Sequence, residues 1–115
     1  MELLIDNVLN IGADEFYRSN RYKVPLSVML INTSDNDAFN LLDRITRQTD
    51  IVQQLTSELL VVFLSHTDYD NALLFIYNLG KELDFTYTIS QFQGQEFEFI
   101  QNLFVQNSLK CENPY

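Results

Sequence analysis

The sequence predicts an α+β fold, a mostly antiparallel four-stranded sheet in the order β-α-β-β-α-β with an additional helix at each end. Three observations predict it. Residues 47–64, RQTDIVQQLTSELLVVFL, read as two strands joined by a tight turn, and the Leu, Val and Phe run of the second strand suits burial on both faces. Residues 26–31, LSVMLI, are a second short apolar run of the same kind. Apolar residues at helical spacing separate these strands from one another and from a later β-branched stretch. The order is that of a ferredoxin-like core, for which helices on one face of the sheet are expected.

The elements follow in chain order. Residues 2–22 read as helical, because Leu3, Leu4, Val8 and Ile11 repeat at helical spacing and Phe16 and Tyr17 continue the pattern. Gly12 costs about 1 kcal/mol inside a helix, so either a bend or a break before residues 13–22 is expected there. Pro25 closes the segment by pushing Val24 out of helical angles. After the strand at 26–31, residues 32–37 (NTSDND) form a polar stop. Ala38, Leu41, Leu42 and Ile45 then give one apolar face of a helix over about 36–48. The hairpin at 51–64 comes next, with Thr56, Ser57 and Glu58 between its strands. In the following loop Thr67 is the expected helix cap. Ala72, Ile76, Leu79 and Leu83 make the stripe of a helix over about 69–83, weakened near its end by Gly80. Residues 86–92, TYTISQF, read as a strand. Gln93 and Gly94 turn the chain into a last amphipathic helix over about 95–107. On it Phe97 and Phe104 share a face, and Phe99 points elsewhere, either partly exposed toward a partner or, as the better reading, packed in the core.

Composition limits what such a chain does. Its 115 residues suit a single domain, 1–115, with a core at about 24–92, and an apolar fraction of 46% suffices for one hydrophobic core. Sixteen acidic residues against seven basic ones give a net charge of −9, with no clustered Lys or Arg. That argues against nucleic acid and anionic membrane surfaces as partners. No apolar run reaches the length of a membrane span, and the first residues lack the pattern of a signal peptide, so a cytoplasmic location is expected. Cys111 is the single cysteine, read as an ordinary thiol in a frayed tail.

The details of order and spacing resemble GGDEF domains, the diguanylate cyclases of bacterial signalling, over roughly residues 15–92. Arg21-Tyr22-Lys23-Val24-Pro25-Leu26-Ser27 is similar to the start of that family's first strand. Arg47-Gln48-Thr49-Asp50 matches its Arg-x-x-Asp motif. Five residues later, Thr56, Ser57, Glu58, Leu59 and Leu60 stand where the family has Gly-Gly-Asp-Glu-Phe. The resemblance implies a nucleotide-cyclase-like core, and the departures imply that its chemistry is lost. Thr56 and Ser57 put side chains where two glycines let backbone approach a nucleotide. Glu58 stays acidic, but Leu59 replaces the next Glu. Asn32 sits where the family has a metal-binding Asp. Only about fifteen residues separate Asn32 from Arg47, too few for the family's guanine-reading segment.

The resemblance therefore implies a degenerate, shortened GGDEF domain with no catalytic residue, metal or cofactor. It would act by protein–protein contact with a partner or a second copy, through its acidic surface and terminal helices. The alternative is a receptor for cyclic di-guanylate, the ligand that Arg-x-x-Asp binds in the family. Arg47 would grip phosphate or a guanine edge, and Asp50 would accept from guanine N–H groups. A bland alternative is an i to i+3 ion pair. A residual enzyme depending on Glu58 is a third reading. Ser65, His66 and Asp68 lie too close in sequence to converge as a triad, so His66 reads as a solvated loop residue. Asp35, Asp37, Asp68 and Asp70 read as acids at helix starts rather than metal ligands.

Overall fold

The computed structural model describes residues 2–112, with side chains through residue 109. The chain forms α1 (Glu2–Ile11), α2 (Ala13–Tyr22), β1 (Leu26–Asn32), α3 (Ala38–Ile45), β2 (Ile51–Thr56), β3 (Leu59–Ser65), α4 (Tyr69–Leu79), β4 (Thr86–Gln91) and α5 (Glu96–Glu112). The four strands make one antiparallel sheet in the order β2-β3-β1-β4. This is the predicted core with its expected connections.

The two central strands explain the layering. β1 and β3 are apolar at nearly every position, so successive side chains need cover on both faces. One face presents Met29, Ile31, Leu60, Val62 and Leu64 to α3 and α4, through Leu42, Ala72, Ile76 and Leu79. The other presents Leu26, Val28, Leu30, Val61 and Phe63 to α1, α2 and α5, through Val8, Phe16, Ile100 and Leu103. Helices on a single face were expected, with the terminal helices as additions. The structure has three layers instead, because the terminal helices cover the second face and belong to the core.

Local chemistry sets the boundaries. The helical stretch 2–22 breaks at Gly12, where a Cβ would lie 2.2 Å from the Phe63 ring, so the absent side chain lets the chain pass over the aromatic core. α2 ends in Lys23, which takes the left-handed conformation at φ 56°. α3 is shorter at both ends than the expected 36–48. Thr46 turns extended, and its hydroxyl donates to the Leu42 carbonyl at 2.8 Å. Ile45, placed on the apolar face by its spacing, is consequently exposed at the helix end.

α4 ends at Leu79 rather than 83, although one further turn still buries Leu83. Its cap is Asp68, which accepts from the Asn71 amide at 2.9 Å, and not Thr67, which is buried and donates to the Ser65 carbonyl. α5 runs past the expected 107 to Glu112, so Cys111 lies in a helix rather than a tail. Phe97 leaves the face it was expected to share with Phe104, while Phe99 is partly buried against the core. Phe97 is 52% exposed on the first turn. Phe99 reaches inward, edge-on to Phe92 with centroids 5.3 Å apart.

Candidate functional site

Two places carry the residues that the sequence singles out. The first lies where the α3–β2 connection meets the end of β3. Arg47 and Asp50 bracket a turn closed by the Asp50 amide donating to the Arg47 carbonyl at 3.0 Å. Their side chains meet in a two-point pair, Nε to Oδ2 and Nη2 to Oδ1, both 3.2 Å. The Arg47 amide also donates to Oδ2 at 3.0 Å. Oδ1 accepts from the Ser65 amide at 3.1 Å. Since β2 pairs with β3 only from Ile51 onward, opposite Phe63, the Asp50 carboxylate takes the place of a strand carbonyl at the end of the ladder.

Arg47 spans the same junction. Its Nη2 donates to the Ser65 carbonyl at 2.5 Å and to Thr67 Oγ1 at 2.8 Å. The pair is unequal in exposure: the Arg47 side chain is 56% exposed and that of Asp50 only 2%. Arg47 and Asp50 also border an open cleft of about 370 Å³ with Ile45, His66, Asn71 and Phe75 on its rim. His66 is exposed, as expected of a loop residue, and adopts a left-handed φ of 53°. Ser65, His66 and Asp68 form no relay. The Ser65 hydroxyl donates to the Thr49 carbonyl at 3.1 Å, while Asp68 caps α4.

The second place is the β2–β3 turn and the adjoining end of β1. Ser57 and Glu58 form the two-residue turn, and the Glu58 amide donates to Thr56 Oγ1 at 3.3 Å. The strand pairing shifts register between Gln54 and Thr56. Leu59 stands directly opposite Asn32 in the β1–β3 ladder. Leu59 is 8% exposed and belongs to the core, as does Leu60 on the other face. Asn32 exchanges hydrogen bonds with Asn107 of α5, Nδ2 to Oδ1 at 2.7 Å and the reverse at 3.3 Å. Thr88 of β4 donates to the same Asn107 oxygen at 3.2 Å. Thus three strand and helix elements meet in one satisfied amide network.

Sequence reasoning picked out Asn32 and Leu59 but missed Asn107. The available signal was a polar residue seven positions after Ile100, on the apolar face of α5. Among the described residues, no group of three or more His, Cys, Asp or Glu side chains is placed to hold a metal ion. Asp35 accepts from the Asp37 amide, and Asp70 lies in the first turn of α4, in keeping with roles at helix starts. Among the described residues no helix is long and apolar enough to cross a membrane.

No known family model matches the sequence, and no curated protein does. Among solved structures, the fold is similar to a DGC protein from Thermotoga maritima. The match has a TM-score of 0.57 at 13% identity and covers 88% of each chain. The likeness is one of fold over most of the chain, and it agrees with the ferredoxin-like order of the core.

Proposed function

We propose that this domain is a degenerate GGDEF-like module of the bacterial cytoplasm that regulates by contact with proteins and performs no reaction. The observation that carries the reading is the Asn32–Leu59 pair. The resemblance aligns these two residues with metal-holding acids of the family, and the ladder sets them directly opposite one another. One is a neutral carboxamide tied to Asn107, and the other is an apolar side chain in the core. A divalent ion bridging phosphates needs anionic oxygen, and this pair offers none. Glu58 alone keeps a charge, on an exposed turn.

The test is Mg²⁺-dependent release of phosphate or pyrophosphate from GTP by the intact protein. Release no faster than in buffer is expected, with Glu58→Gln indistinguishable from wild type. Turnover that the Glu58→Gln variant loses would overturn the reading.

A second reading, a receptor for cyclic di-guanylate, is favoured by the half-exposed Arg47 guanidinium on the rim of the cleft beside Asn71 and Phe75. A planar forked donor beside an aromatic ring suits a phosphate or a purine edge. Calorimetric titration of the dinucleotide checks it, because binding through this rim is lost in Arg47→Ala. Equal heats from both proteins would remove the site.

A further inference from the structure

We infer that the outer face of α4 is the surface through which two copies of this chain pair, antiparallel and about a two-fold axis. The inference rests on the reading of the domain as an interaction module and supplies its contact surface. α4 carries apolar residues both inward and outward, the outward ones beside exposed Asp70, Asn71 and Asn78. Ala72, Ile76 and Leu79 turn inward to the sheet. On the opposite side Leu74 is 59% exposed and Tyr77 67% exposed.

Charge on this stripe identifies the occupant. Asp70, Leu74, Tyr77 and Lys81 follow one another at i, i+4, i+7 and i+11, along one side of the helix and its final turn. Lys81 holds its ammonium 4.9 Å from the centre of the Tyr77 ring, which fixes it at that end of the stripe. Asp70, at the other end, has no ion pair among the described residues. From Asp70 to Lys81 the backbone rises about 16 Å, through α4 and the turn that follows it, with the apolar pair between the two residues. A second α4 laid antiparallel on this stripe meets it everywhere with a complement. Asp70 faces Lys81 of the other copy at both ends, and Leu74 faces Tyr77 of the other copy twice in the middle. A patch that complements itself under a two-fold rotation is the requirement of an isologous dimer. A different protein partner has no need of opposite charges placed symmetrically about the centre. Four exposed side chains make a small interface, so weak association is expected.

The test is sedimentation equilibrium of the full chain over a wide concentration range. Wild type is expected to dimerise reversibly, and Tyr77→Ser to abolish the dimer. Asp70→Lys or Lys81→Asp alone sets like charges against each other at both ends and weakens association by about tenfold or more. An equimolar mixture of the two single variants restores the dimer, because every end then joins Lys to Asp. All four positions are exposed or polar, and circular dichroism of each variant establishes that it is folded. Wild type that stays monomeric, or single variants that do not associate on mixing, would overturn the pairing. Either result leaves the module reading to its own GTP assay.

Discussion

Replacing Asp50 by Ala separates a structural clasp from a ligand contact. The carboxylate is almost wholly inaccessible and receives two backbone amides and a guanidinium. The Ser65 amide lies in a buried strand residue, so its loss of partner costs about 1–3 kcal/mol. The guanidinium contact is half in solvent and adds at most about 1 kcal/mol after screening. The Arg47 amide sits at an exposed turn, where water replaces the carboxylate. The sum is about 1–4 kcal/mol, a substantial part of the ~5–15 kcal/mol by which domains of this size are stable. Arg47→Ala leaves the carboxylate in place on Ser65 and should cost about 1 kcal/mol, the worth of partly exposed donors. Urea unfolding followed by circular dichroism measures both. The reasoning fails if Asp50→Ala costs no more than Arg47→Ala, because the junction would then not depend on the buried carboxylate.

Three further outcomes are expected. Gly12→Ala should destabilise by about 1–3 kcal/mol, as its new methyl meets the buried Phe63 ring, and thermal melts read the loss. Lys23→Gly should stabilise by roughly 0.5–1 kcal/mol in the same melts, since the left-handed cap of α2 suits glycine. Asn107→Ala should leave the Asn32 and Thr88 side chains short of a buried partner, at a cost of about 1–3 kcal/mol. Faster amide hydrogen exchange in α5 than in α4 would locate that loss.

What the sequence made legible was whatever repeats along a few residues. β1 and β3 stood out because nearly every position is apolar, and the same fact required cover on both faces of the sheet. The paired turn and the order of elements followed from spacing alone. The end of α3 was hidden, because Arg44, Arg47 and Asp50 continue a plausible helical surface, while a single Thr46 hydroxyl stops the helix. The burial of Asp50 depends on Ser65, 15 positions later, and that of Asn107 on Asn32, 75 positions earlier. An isolated Asn or Asp looks like surface until its distant partner is known. Phe97 was misassigned because the first turn of α5 carries it on an exposed side, while the half-buried Phe99 finds the aromatic cluster of Phe16 and Phe92.

One layer of the sandwich joins α1 and α2, near the start of the chain, to α5, near its end. During synthesis, at about 5–20 residues per second, the first two helices emerge seconds before the helix they pack beside. Until residues 96–112 follow, the apolar face formed by Val28, Leu30, Val61 and Phe63 has only part of its roof. The opposite layer needs nothing beyond β4 and can consolidate around the central hairpin first. The domain should therefore mature in two stages, with its nascent form exposing a sticky half-sheet that chaperones can recognise. A ribosome stalled just before α5 would hold the chain in that state, open to protease on one side and closed on the other.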